Sequence, residues 1–187
     1  MAFLPILQYG KELIRTRVKK GDIVVDATCG NGFDTVFLAE LVGETGKVYG
    51  FDIQEQAIIK TKNRLKEKNL LDRVHCIQES HEEIKKWVKH KVKAAMFNLG
   101  YLPGSDKTIV TKGETTIKAI EALIHLLTDD GIIVLIVYTG HDQRQEANIV
   151  ETFLKSFSQK EYTVMKLQYI NQINHAPYLI AIEKKNA

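Results

Sequence analysis

Ten consecutive residues, Asp26-Ala-Thr-Cys-Gly-Asn-Gly-Phe-Asp-Thr35, hold the densest set of chemically useful groups in this 187-residue chain. They close a short β-branched run, Ile23 to Thr28, and open a helix from Asp34 whose apolar face is Val36, Phe37, Leu38, Leu41 and Val42. Gly30 and Gly32 permit a tight turn that brings bare backbone close to a ligand. Dinucleotide enzymes use a similar turn, so the glycines alone do not choose a cofactor. Two details favour S-adenosylmethionine. Thr35 stands where the dinucleotide pattern has its third glycine, and Asp34 at the helix start suits an ammonium group and repels a pyrophosphate.

Asp52 ends a second apolar run, Lys47 to Ile53, 20 residues beyond Gly32. A carboxylate there can accept hydrogen bonds from both hydroxyls of a ribose, each worth about 1.5–3 kcal/mol when charge-assisted. Ile53 and Gln54 are placed to flank an adenosine, and Ser80 and His81, after a third run from Arg73 to Gln78, to meet its adenine. Each residue also has a plain structural explanation. Asp34 is a favoured helix cap, and Ser80 with Glu83 has the spacing of a capping box. Cys29 is better explained as a small buried side chain than as a nucleophile. Those explanations treat residues singly and leave their recurrence after successive strands unexplained.

A second group of candidates faces the reaction. Asn98-Leu-Gly-Tyr-Leu-Pro-Gly104 follows the run Lys93 to Asn98, Tyr138-Thr-Gly-His141 follows the most apolar run, and Asn174-His-Ala-Pro-Tyr178 precedes the last one. His, Tyr and Asn can position a nucleobase, stack on it or relay a proton. Asn98, Tyr101 and His141 are the candidate catalytic residues. Gly100, Tyr101, Tyr138, His141, His175 and Tyr178 are the candidate substrate contacts. No cysteine motif supports covalent uracil-ring methylation, and the zinc-deaminase signature is absent. Cys29 and Cys76 lack CxxC spacing, so neither a metal nor a disulfide framework is expected.

These loops need a frame, and the pattern supplies one. Strand-like runs alternate with helical segments at Glu55 to Lys68, His81 to His90, Thr115 to Leu127 and Gln145 to Ser156. Such alternation implies βαβ crossovers and a parallel sheet covered by helices on both faces. Gly131 to Tyr138 is apolar throughout and belongs mid-sheet. The runs Tyr162 to Tyr169 and Tyr178 to Lys184 have no helix between them and should form an antiparallel pair at one edge. Seven strands in this arrangement make the class I methyltransferase (Rossmann-like) α/β fold. Its ligands bind beyond the carboxyl ends of the strands.

One domain over residues 1–187 is expected, with residues 1–20 as an amphipathic helix packed on it. A 44% hydrophobic share supports a sizeable core, and 26% charge with 3 prolines argues against disorder. The start lacks the pattern of a signal peptide and no run could span a bilayer, so a cytoplasmic protein without membrane contact is expected. A net charge of +3 is too small to establish a nucleic-acid partner by itself.

The runs GDIVVDATCGNGFDTVFLAELVG, YGFDIQEQAI, FNLGYLPGSDK, ETTIKAIEALIHLL, IVYTGHDQRQE and NQINHAPYLIAIEK together resemble the bacterial tRNA wobble-uridine methyltransferases, a family long described as rRNA methylases. The resemblance covers nearly the whole chain. It implies methyl transfer from S-adenosylmethionine to the amine of 5-aminomethyl-2-thiouridine in the tRNA anticodon arm. Asp26, Gly30, Asn31, Gly32, Asp34, Thr35, Asp52, Ile53, Gln54, Ser80, His81, Asn98 and Leu99 would then hold the cofactor. Asn98 stands where amino-group methyltransferases carry an Asn-Pro-Pro-Tyr motif, with Leu99 and Gly100 in place of the prolines. The family usually has another glycine after Gly-His, where Arg144 stands in this chain.

Alternatives of the same class are methylation of rRNA or of a small molecule. One of another class is an RNA-binding module with a vestigial pocket. Basic segments at Lys11 to Lys20, Lys60 to Lys68 and Lys85 to Lys93 could contact phosphate or merely be solvated. Oligomeric state is open, and a homodimer would enlarge the RNA-binding surface.

Overall fold

Apolar runs of four to eleven residues, several rich in Val and Ile, are too short for buried helices and become strands. A computed structural model of the chain describes residues 3–100, 110–140, 144–173 and 176–185. The elements follow in the order α1 (Ile6–Arg17), β1 (Ile23–Asp26), α2 (Phe33–Val42), β2 (Lys47–Phe51), α3 (Glu55–Glu67), β3 (Val74–Ile77), α4 (Ile84–Trp87) and β4 (Val92–Leu99). Then come α5 (Gly113–Leu126), β5 (Leu127–Val137), α6 (Gln145–Lys155), β6 (Tyr162–Leu167) and β7 (Tyr178–Lys184). The sheet has the order β3-β2-β1-β4-β5-β7-β6. β1 to β5 are mutually parallel, and β7 runs antiparallel to both β5 and β6. The order reverses between β1 and β4, which makes their carboxyl ends the crevice where ligands enter.

Alternate strand residues feed two cores. Val25, Phe97, Leu99, Leu135 and Ile180 pack with Ile84, Leu123 and Val150 beneath α4 to α6. Val24, Met96, Val134 and Leu179 pack with Ile14, Leu38 and Leu65 beneath α1 to α3. Both cores are needed because the central strands are buried on both faces. α1 lies against β5 and β7 through Gly10, where an added Cβ would sit 3.1 Å from Ile136 Cδ1. A helix-interior glycine costs about 1 kcal/mol relative to alanine, and here it permits close packing of helix on sheet.

Two elements differ most from the sequence expectation. The helix expected over His81 to His90 is a 3-10 turn (His81–Glu83) and the single turn of α4. Only Ile84 and Val88 of the segment 84–90 reach the core, too few to anchor a longer helix. β5 begins at Leu127, four residues early, because buried Leu127 pairs with Val92 before the register shifts to Ala94 opposite Ile132. The intervening Thr128-Asp129-Asp130 bulges out as a polar corner.

Candidate active site

The carboxyl ends of five strands, β1 to β5, surround the crevice. The loop after β1 turns through Gly30 (φ +54°) and Gly32 (φ +81°), left-handed conformations that glycine adopts without steric cost. Gly32 is also crowded from outside: an added Cβ would lie 2.8 Å from Thr61 Cα on α3. α3 clamps the loop further. Thr61 Oγ1 donates to the Gly30 carbonyl (3.3 Å), and Arg64 Nε donates to that of Asn31 (2.9 Å) while its guanidinium stacks 3.8 Å from the Phe33 ring centroid. Arg64 in the basic segment Lys60 to Lys68 is thus engaged within the fold.

Asp26 lies under this loop, 1% exposed. Its Oδ2 accepts from Thr35 Oγ1 (2.6 Å) and its Oδ1 from the Thr28 N–H (3.1 Å). Burial, followed by the negative charge of Asp34, pushes its carboxyl up to about 7. Asp26 and Thr35 therefore brace the loop from below. Cys29 is buried and its thiol is pushed well up by the same burial, which leaves it unsuited to nucleophilic work at neutral pH.

Asp52 bridges β2 to the loop. One oxygen accepts from the Gly30 N–H and the other from the Gln54 N–H, both at 2.9 Å. Each carboxylate oxygen keeps a second acceptor site. Ile53 beside it is half exposed. After β3, Ser80 Oγ accepts from the Glu82 N–H (3.3 Å), so it caps the 3-10 turn. His81 is buried, and its Nδ1–H donates to the Ala27 carbonyl (3.1 Å), since a carbonyl can only accept. Burial lowers its pKa, so the ring is neutral and Nε2 presents a bare lone pair. That atom has no hydrogen-bond partner among the described residues.

At the end of β4 the Asn98 N–H donates to Thr28 Oγ1 (2.7 Å), and its Nδ2 donates to Asp34 Oδ2 (2.5 Å). Asp34 is 7% exposed, with Lys11 Nζ 2.8 Å from its other oxygen. Leu99 turns its side chain into the core, and its carbonyl accepts from the Tyr138 N–H (3.1 Å). Gly100 brings the chain past Tyr138, 3.4 Å from an added Cβ to Tyr138 Cβ. Tyr138 is partly exposed, and burial with the Asp34 charge raises its pKa, so the phenol keeps its proton. Next to it Thr139 Oγ1 is buried and unpartnered among the described residues.

Tyr178 departs from expectation. It is fully buried in the core under α6, its hydroxyl donates to Glu151 Oε1 (2.6 Å), and Lys166 covers its ring. At the start of β7 it shares a strand face with Ile180 and Ile182, which turns it away from the crevice. Tyr101, His141 and His175 lie outside the described residues. No group of three or more metal-ligating side chains occurs among the described residues.

Two residues are not legible as site residues in the sequence. Lys11 reads there only as one cation of a basic segment. Glu146, in the first turn of α6, is 2% exposed and accepts from Thr111 Oγ1 (2.5 Å) and Thr116 Oγ1 (2.9 Å). Thr111 also donates its N–H to the Gly100 carbonyl (3.0 Å), so Glu146 ties the loop after β4 to α5 and α6. A glutamate at a helix start usually signals dipole compensation at the surface, which conceals this role.

The crevice fits an adenosyl ligand. It combines a glycine-lined backbone turn, an acceptor carboxylate with spare lone pairs, and a buried unpartnered imidazole nitrogen. Leaving such an atom unpaired costs about 1–3 kcal/mol unless a ligand satisfies it.

Comparison with known proteins accords with that geometry. Residues 48–183 match the family described as "Putative rRNA methylase". The chloroplastic tRNA (mnm(5)s(2)U34)-methyltransferase of Arabidopsis thaliana is 36% identical over 179 residues, 90% of this chain and 65% of that one. The chain thus spans somewhat under two thirds of that relative. The crystal structure of a "putative rRNA-methylase" from Clostridium thermocellum superposes with a TM-score of 0.97 at 47% identity, covering 99% of this chain and 100% of that one. A "putative methyltransferase" from Streptococcus mutans, crystallised in complex with SAH, does so with a TM-score of 0.91 at 39% identity, covering 98% and 100%. By sequence over most of its length, the chain belongs to this methylase family, and its fold is that of the class I methyltransferases.

Proposed function

We propose that the protein transfers a methyl group from S-adenosylmethionine to the amine of 5-aminomethyl-2-thiouridine at the wobble position of tRNA, giving 5-methylaminomethyl-2-thiouridine. The observation that carries this is the Asn98 side chain at the switch point, its amide nitrogen committed to Asp34 and its oxygen, without a hydrogen bond among the described residues, available to an amine. The likeness to the chloroplastic enzyme supplies the substrate class. When bound, the cofactor supplies an electrophilic methyl group on a positively charged sulfur.

The chain's own residues divide the remaining work. Gly30, Asn31, Gly32, Asp52, Gln54 and His81 hold the cofactor, with Asp26 and Thr35 keeping the loop rigid. An alkyl amine with a pKa near 10.4 is protonated at pH 7, and freeing its lone pair costs about 4–5 kcal/mol. Burial and a nearby positive charge both disfavour the ammonium form. Asn98 Oδ1 then accepts from the neutral amine and holds it in line. Such alignment can supply about 7–11 kcal/mol of the barrier. Tyr101, Tyr138, His141 and His175 are assigned to the substrate side, with the proton leaving through a histidine or solvent. The target is a single nucleoside in the anticodon arm, which suits a small catalytic core with a modest net charge of +3.

Methylation of rRNA is the second reading, favoured by the family description. Incubating the protein with labelled S-adenosylmethionine and either tRNA or rRNA from cells lacking the gene, followed by nucleoside mass spectrometry, separates the two. A gain of one methyl on the wobble uridine is expected. Label found only in rRNA overturns the proposal.

A further inference from the structure

We infer that Lys11, on the helix that precedes the first strand, is a positioning residue of the transfer site, acting on the target amine through Asp34 and Asn98. The inference rests on the proposed amine methylation. Lys11 Nζ lies 2.8 Å from Asp34 Oδ1, and Asp34 Oδ2 accepts from Asn98 Nδ2 at 2.5 Å. The ion pair is largely withdrawn from water, with side-chain exposures of 18% and 10%. Phe37 covers it, its ring centroid 5.2 Å from the ammonium.

An asparagine amide can present either its oxygen or its nitrogen to a ligand. Beside an ionised carboxylate, which only accepts, the nitrogen must face the carboxylate and the oxygen must face away. The Asp34 carboxylate, held in place by Lys11, therefore decides which atom Asn98 shows the substrate. Among the described residues, the charged or titratable groups facing Asp34 are Lys11 from α1, Asp26 from β1 and Tyr138 after β5. Of these, only Lys11 brings positive charge.

Removing that charge frees the Asp34 side chain and leaves its carboxylate without its partner. The Asn98 amide then loses its fixed anchor and can turn either atom toward the substrate. The unpaired carboxylate also favours the incoming amine as ammonium. That second effect moves the rise of kcat/KM toward higher pH, by about one unit for a charge at this range.

The test compares Lys11→Met and Lys11→Arg with the unsubstituted protein in two measurements. The first is the pH profile of methyl transfer to tRNA carrying 5-aminomethyl-2-thiouridine. The second needs no turnover: the side-chain amide signal of Asn98, by nitrogen-15 NMR of the ligand-free protein. Lys11→Met is expected to lower kcat ten-fold or more at pH 7, shift the profile upward and speed hydrogen exchange of the Asn98 amide. Lys11→Arg is expected to restore all three. A Lys11→Met protein with the original profile and Asn98 signal overturns the inference, as does a Lys11→Arg protein indistinguishable from it. If the unsubstituted protein does not methylate this tRNA, the functional proposal fails, while the NMR comparison still tests the Lys11–Asp34–Asn98 link.

Discussion

Replacing Asp26 by Asn should stabilise the ligand-free protein, and the gain should grow with pH. Asp26 is fully buried, and its carboxyl rises from 3.8 to about 7, first through burial and then through the Asp34 charge. A carboxyl whose pKa is raised by folding prefers the protonated form in the native state. Its contribution to stability is complete below the unfolded value and is lost as pH climbs toward the folded one. Between about pH 4 and pH 7 the loss runs at about 1.4 kcal/mol per unit, or up to about 4 kcal/mol across the window. Asn mimics the protonated acid: its Oδ1 can accept from the Thr28 N–H, and its Nδ2 can donate to Thr35 Oγ1. Urea denaturation of both proteins from pH 4 to pH 8 measures the difference directly, because titrations not coupled to Asp26 cancel. Near equality at pH 4 and an advantage of several kcal/mol for Asp26→Asn at pH 8 are expected. A pH-independent difference, or a less stable Asn protein at pH 8, refutes the reasoning.

Gly32→Ala should cost about 2–5 kcal/mol, combining a left-handed backbone with overpacking against Thr61. Gly21→Ala shares the positive φ but meets Thr45 Oγ1 only at 3.4 Å, so its smaller loss in denaturant titrations isolates the crowding. Asp52→Ala should abolish S-adenosylmethionine binding by calorimetry, and unchanged affinity would remove Asp52 from the cofactor site. Arg144 adopts φ +69° before α6, where glycine is favoured. Arg144→Gly should therefore leave thermal stability unchanged or higher, whereas Lys66→Gly inside α3 should lose about 1 kcal/mol.

Much of the fold is legible because strand burial and sequence coincide. Ile23 to Thr28 and Gly131 to Tyr138 could only be buried strands, and their neighbours follow from the βα alternation. The Gly30–Gly32 turn and Asp52 are legible for a similar reason: backbone conformation and charge at a strand end are local properties. Asn98 could be singled out by its position, but not its partner. Asp34 is 64 residues away, and only the packing of α2 against β1, the sheet neighbour of β4, joins the two. The basic segments are less informative, since Lys86, Lys93 and Arg64 hold Glu79, Asp130 and the Asn31 carbonyl.

By itself the sequence determined the seven-strand frame, the glycine turn after β1 and the loops that form the crevice, because periodicity, glycines and strand-end carboxylates act over a few residues. The tertiary structure alone decided which side chains complete the site. It buried Tyr178, drew Lys11 from the first helix onto Asp34, and set Glu146 between α5 and the loop after β4. Each of those outcomes depends on contacts between chain segments far apart in sequence, where burial and charge pairing override what a residue type signals locally.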